Sequence, residues 1–133
     1  MKTYVLDACA LIAYISDEEG AQVVETLLAG NNQIIVSIIN VYEVYYDALR
    51  TSGIDRANSI LKDIERLPVK IIKHISKETI LEAAKFKINY SISLADSFVL
   101  GLAVLLNASI VTSDHHEFDV IEKKTSLNFH WIR

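Results

Sequence analysis

The sequence predicts an α/β domain with a mainly parallel central sheet flanked by helices. Three observations lead there. Short segments rich in Val, Ile and Leu alternate with longer segments of helical period. The run Ile34-Ile35-Val36 is apolar without alternation, which suits a parallel strand covered on both faces. Two apolar segments far apart in sequence, Thr3–Leu6 and Ala108–Thr112, each lead to an acid, Asp7 and Asp114. Strands followed by crossover helices imply right-handed connections.

Taken in order, residues 2–6 read as a buried strand, and Asp7 can cap the helix that follows, Ala8 to Ile15. A second helix, about Glu19 to Ala29, keeps Val23, Val24, Leu27 and Leu28 on one face, and Gly30-Asn31-Asn32 stops it. Gln33 to Ser37 is the second strand. Ile38 to Thr51 is a third helix whose Ile38, Val41, Tyr42, Tyr45 and Leu49 keep helical spacing, with Glu43 beside that stripe. Asp55 to Leu67 is a fourth, amphipathic helix, broken by Pro68. Val69 to Ile72 is a short strand. A helix from Ser76 or Lys77 runs to about Phe86, and Ile88 to Ile92 is a loop. Ser93 opens the most apolar helix, which Asn107 stops after Leu106. Ala108 to Thr112 is a strand, a short helical turn follows Asp114, and Asn128 to Ile132 is the last strand. No linker, low-complexity segment or repeat interrupts this pattern, so residues 1–133 are expected to form a single domain.

Composition narrows the function. The chain has 133 residues, enough for one real core, with 51% hydrophobic and 23% charged residues. Its longest apolar run, Phe98 to Leu106, is far short of the ~20 residues a bilayer-spanning helix needs, and Asp7 interrupts any signal-peptide core. A cytoplasmic protein with no membrane partner is expected. Cys9 is the only cysteine, which leaves no intramolecular disulfide and no cysteine metal cluster. A formal net charge of −4 argues against broad electrostatic wrapping of nucleic acid. It leaves room for a nuclease, because bound cations reverse the sign of an acidic site locally.

The acids are ambiguous one at a time. Asp7 stands where strand becomes helix and reads as an N-cap. Asp114-His115-His116-Glu117 and Ser93-Leu94-Ala95-Asp96 both have capping-box spacing. Glu43 could simply reach water from the edge of its apolar stripe. The set says more. Ligands of open α/β sheets bind outside the carboxyl ends of the strands. Asp7 and Asp114 lie there, and Asp96 and Glu43, near the starts of their helices, can reach the same edge. Two carboxylates about 4 Å apart repel by roughly 4 kcal/mol at an effective dielectric of 20. Such a gathering calls for a hard, oxygen-loving cation, and Mg²⁺ or Mn²⁺ fits. That site chemistry suits hydrolysis of a phosphodiester. His115 and His116 are neighbours that seldom point the same way, and nothing else spaces like a zinc site. His115 stays a candidate for a substrate or metal contact.

With these acids placed, the sequence resembles a PIN domain, and especially the toxin ribonucleases of VapC type from toxin–antitoxin pairs. Four segments carry the resemblance, which covers nearly the whole chain: Tyr4-Val5-Leu6-Asp7, Val36-Ser37-Ile38-Ile39-Asn40-Val41-Tyr42-Glu43, Ser93-Leu94-Ala95-Asp96-Ser97, and Val111-Thr112-Ser113-Asp114 followed by Phe118. The resemblance implies that Asp7, Glu43, Asp96 and Asp114 are catalytic and hold Mg²⁺ or Mn²⁺. Ser37 and Thr112 match small polar positions that support them. It also implies metal-dependent endonucleolytic cleavage of RNA, a cognate antitoxin as partner, and a homodimer. Two departures stand out. Ala8-Cys9 replaces the Ser, Thr or Asn that many relatives carry after the first Asp. Phe118 follows Asp114 by four residues rather than three, which leaves open whether Glu117 or Asp119 is an extra acid.

Alternatives remain at this point. A non-toxin PIN nuclease of RNA processing would share the same acids. A catalytically silent PIN-like binding module would share the fold. A phosphoryl-transfer domain would need an acid pair or an Asp-x-Asp nucleophile at the first strand, and Asp7-Ala8-Cys9 offers neither.

Overall fold

The computed structural model describes residues 1–133. Five strands, β1 (Lys2–Leu6), β2 (Asn32–Ser37), β3 (Lys70–Ile72), β4 (Ser109–Thr112) and β5 (Phe129–Trp131), form one sheet in the order β3-β2-β1-β4-β5. Every pair is parallel. Seven helices connect them: α1 (Ala8–Ile15), α2 (Ala21–Ala29), α3 (Ile38–Ser52), α4 (Ile54–Arg66), α5 (Lys77–Asn89), α6 (Leu94–Leu106) and α7 (His115–Lys124). This is the expected α/β architecture. None of the helices is long and apolar enough to cross a membrane.

Alternation along the strands splits the core in two. Tyr4, Leu6, Ile34, Val36 and Val111 face one layer, packed against α1 to α4. Val5, Ile35 and Ile110 face the other, packed against α6 and α7 with Phe86 of α5 behind them. The apolar run Ile34-Ile35-Val36 therefore serves both layers. Gly101 lets α5 and α6 pack closely: a Cβ there would stand 3.0 Å from the Ala83 amide and 3.1 Å from the Thr79 carbonyl.

Three boundaries differ from the expectation. The turn after Asp114 is a helix of 10 residues, held because Phe118 and Ile121 are fully buried in the second layer. α5 continues through Ile88, placed above in a loop, to Asn89; its last turn is closed by the Tyr90 amide bonding to the Phe86 carbonyl at 2.9 Å. Ile88 is 85% exposed, so no burial signal marks its helical state. α2 starts at Ala21 rather than Glu19 because Gly20 takes a left-handed φ of +100° where the chain passes close to Ile132.

Strand order sets the site. The chain steps outward from β1 to β2 and β3, then crosses to the other side of β1 for β4 and β5. Beyond the carboxyl ends of β1 and β4 the connections diverge, the switch point at which such sheets open a crevice. In register, Leu6 pairs with Val36 on one side and Val111 on the other. The next residues of the three strands, Ser37, Asp7 and Thr112, therefore come side by side at that edge.

Candidate metal centre

Asp7 is 1% exposed and makes two hydrogen bonds. Its Oδ1 accepts the Ala10 amide at 2.9 Å, capping α1, and its Oδ2 accepts the Thr112 hydroxyl at 2.5 Å. The same Thr112 Oγ1 accepts the Asp114 amide at 2.9 Å. One buried threonine thus ties together the two acids at the ends of β1 and β4. Asp114 caps α7, its Oδ1 accepting the Glu117 amide at 3.0 Å.

The capping-box spacings are only half realised. The Asp96 amide donates to Ser93 Oγ at 3.1 Å and the Glu117 amide donates to Asp114. In a full box the third residue's carboxylate would return to the cap's own amide. At Asp114 that amide is already taken by Thr112. The Glu117 carboxylate is left free, and its Oε2 is buried without a partner. Asp96, 8% exposed in the first turn of α6, points to the same place. Ligand oxygens of Asp96, Asp114 and Glu117 all lie within 4.8 Å of one another.

Glu43 reaches the edge from α3. Its Oε1 accepts the Asn40 Nδ2 amide at 2.9 Å, and Asn40 is itself fully buried. Sequence reasoning missed Asn40; its position three residues before Glu43, on the buried side of the same helix, was the available signal. Ser37, also buried, accepts the Ile39 amide at 3.2 Å. It caps the start of α3, the helix that carries Glu43, and makes no hydrogen bond to the acids.

The electrostatics of the group are those of crowded acids without a counter-charge. Burial, opposed in part by the Thr112 and Ala10 hydrogen bonds, pushes the Asp7 carboxyl from 3.8 up to about 7, with Asp114 and Glu43 adding repulsion. Burial also pushes Asp96 up to about 8, helped by the charges of Asp7, Asp114, Glu117 and Glu43. Glu43 is raised by burial, against the Asn40 bond. Cys9, half-buried in the first turn of α1, has its thiol pushed up to about 12 by burial and by the fields of Asp7, Asp114 and Asp96. No cation of the protein is bonded to any of these acids: the ion pairs use other carboxylates, as in Arg50–Asp47 and Lys85–Glu82.

Five acids from four separate segments therefore meet at one edge, Asp7, Glu43, Asp96, Asp114 and Glu117. The remaining two candidates lie elsewhere in the network. His115 Nδ1 and Asp119 Oδ1 are 2.8 Å apart and bonded to each other, and His115 stacks on Trp131 with ring centroids 3.8 Å apart. The other His115 nitrogen, Nε2, is bonded to the Arg133 carbonyl at 2.8 Å. Both nitrogens are engaged: Nδ1 within α7 itself, and Nε2 in holding the chain's last residue to that helix. The fit to a hard divalent cation rests on the all-oxygen donor set, the mutual repulsion of its members and the unpartnered Glu117 oxygen.

The class of protein so defined is a parallel α/β domain with an acid-lined crevice at the switch point of its sheet. The chain belongs to the PIN domain family, whose model matches residues 4–124. No curated protein matches the sequence. Among solved structures the fold is similar to a chain of the VapBC2 complex of Rickettsia felis bound to a promoter DNA fragment, at TM-score 0.77 and 19% identity over 97% of this chain and 98% of that one. It is similar to a chain of DNA-bound VapBC from Salmonella typhimurium, at TM-score 0.76 and 17% identity over the full length of both. It is also similar to the VapC20 toxin of Mycobacterium tuberculosis, described as cleaving the sarcin–ricin loop, at TM-score 0.70 and 11% identity over 88% of this chain and 94% of that one.

Proposed function

We propose that this protein is a divalent-metal-dependent endoribonuclease and the toxin of a toxin–antitoxin pair, using Mg²⁺ or Mn²⁺. The observation that carries the reading is the convergence of Asp7, Glu43, Asp96, Asp114 and Glu117 on one edge with no protein cation to balance them. Asp96, Asp114 and Glu117 would hold the ion directly, with Asp7 and Glu43 completing the negative wall. When bound, a divalent ion there supplies Lewis acidity, lowering the pKa of water and offsetting charge on the phosphate. The chain's own residues do the rest. Thr112 fixes Asp7 and the Asp114 backbone in one geometry, and Asn40 aims Glu43. In the ion-free protein Asp7 and Asp96 retain protons near neutral pH, and positive charge in the crevice releases them.

PIN membership and the likeness to chains of VapBC complexes support the toxin reading, and the described activity of the tuberculosis relative supports RNA as substrate. A cognate antitoxin that covers the acidic crevice is the partner this implies. A homodimer is supported by exposed apolar side chains on α3 and α4, among them Tyr42, Tyr46, Leu49 and Ile54. Cytoplasmic action follows from the same reading.

The test is cleavage mapping on total RNA. The parent protein with Mn²⁺ or Mg²⁺ is expected to cut at discrete sites, and chelator or Asp96→Asn to abolish cutting. Undiminished cleavage by Asp96→Asn would refute the assignment. A metal-loaded parent that cuts no RNA would favour a silent binding module.

A further inference from the structure

A cleft of about 250 Å³ opens beside the acids, lined by Tyr90, Ser91, Ile92, His116, Glu117 and Val120. Glu117 belongs both to this cleft and to the acid cluster. One wall is the short connection between α5 and α6, which leads directly into Ser93 and the first turn carrying Asp96. The other wall is the first two turns of α7. The connection is braced: the Lys87 ammonium donates to the Ile92 carbonyl at 2.5 Å, and the Tyr90 ring stacks on Phe86 at 6.4 Å between centroids. The cleft is therefore a built feature of the backbone next to the reactive centre.

Resting on the nuclease reading above, we infer that this cleft is a nucleobase subsite that selects the nucleotide next to the scissile phosphate. Its lining combines an aromatic ring, two aliphatic side chains and three hydrogen-bonding groups, Ser91, His116 and Glu117. That combination matches an unpaired base, which has flat apolar faces and a polar edge. Its volume accommodates one base. Because Glu117 belongs to both, a phosphate held at Asp96, Asp114 and Glu117 has this cleft as the adjoining place for its neighbouring base. Sequence-specific reading of RNA uses bases splayed out of the stack, and a slot contiguous with the metal centre supplies that reading where the cut is made.

The test fills the cleft without touching the acids. Val120 is 49% exposed on α7, so Val120→Trp can occupy the slot while the fold is kept. Ser91→Trp on the opposite wall is the second, independent variant. Cleavage of a randomised RNA pool with Mn²⁺ is sequenced for the parent and both variants, alongside a substrate abasic at the position flanking the cut. The parent is expected to favour one nucleotide at that position roughly tenfold or more, through hydrogen bonds to the base edge. Both variants should erase that preference and cut the abasic substrate as well as the parent does. Retention of the parent's preference and rate by both variants would overturn the inference. So would an unchanged cleavage map combined with weakened antitoxin binding, which would give the cleft to the protein partner. A parent that cuts no RNA at all would remove the nuclease reading and this inference with it.

Discussion

The Thr112 hydroxyl donates to Asp7 across 105 positions of sequence, and the same oxygen receives the Asp114 amide. Thr112 and Asp7 are fully buried, so water cannot replace the bond between them. Thr112→Val keeps the shape and removes both hydrogen bonds. We expect a stability loss of about 1–3 kcal/mol by chemical denaturation, since a buried carboxylate and a part-buried amide each lose a partner. Thr112→Ser should restore most of it. Equal stability of the Val and Ser variants would show that the hydroxyl bonds are incidental.

The raised acids give the ion-free protein an inverted pH profile. Asp7 and Asp96 titrate near 7 and 8 when folded, and near 4 when unfolded. Between those limits the folded state binds more protons than the unfolded state, so stability falls as pH rises. The favourable contribution is complete below about pH 4, for these two groups, and lost by about pH 8. Thermal unfolding in chelator should therefore occur at least about 5 °C lower at pH 8 than at pH 5.5. Added Mn²⁺ should shrink the difference by favouring the ionised forms. A flat profile in chelator would contradict the crowding.

Asp96→Asn follows from the same repulsion. Removing one acid relieves Asp7, Asp114, Glu117 and Glu43 together. The variant should melt higher than the parent in chelator at pH 8 and lose RNA cleavage by a factor of about 100 or more. A variant both less stable and inactive would point to a structural role for Asp96.

Phe118 anchors the helix that carries Glu117, and it is fully buried between Phe129 and the second core layer. Phe118→Ala should cost about 3–5 kcal/mol in denaturant unfolding. A loss under about 1 kcal/mol would mean that α7 docks by other contacts.

Much of this was legible in the sequence because strands and acids were written together. The apolar segments around Leu6, Val36 and Val111 marked the sheet and put Asp7 and Asp114 at its edge, while Ser37 and Thr112 stood out only through the likeness to PIN domains. What one-dimensional spacing could not separate was a cap from a ligand. Asp7 and Asp114 prove to be helix caps that also line the acid edge. Glu117 stood outside the core set because Phe118 follows Asp114 by four residues, which left Glu117 and Asp119 equally open, and its spacing from Asp114 also fits a reciprocal box. Only the Thr112 bond to the Asp114 amide, a tertiary contact, shows that its carboxylate is released. The length of α7 was missed for a related reason: Phe118 and Ile121 give too few apolar positions to mark a helix without the sheet they pack on. Asn40 had only one signal, its position three residues before Glu43, and a buried asparagine on an apolar face looks like an exception until that partner is seen.

Calorimetric titration of Mn²⁺ into the chelator-stripped protein tests most directly whether these acids, drawn from both ends and the middle of the chain, make one cation site. The parent should bind Mn²⁺ saturably, and Asp96→Asn, Asp114→Asn and Glu117→Gln should each weaken binding by at least about tenfold while remaining folded. A parent that binds no Mn²⁺, or three folded variants that all bind it as tightly as the parent, would contradict a shared site.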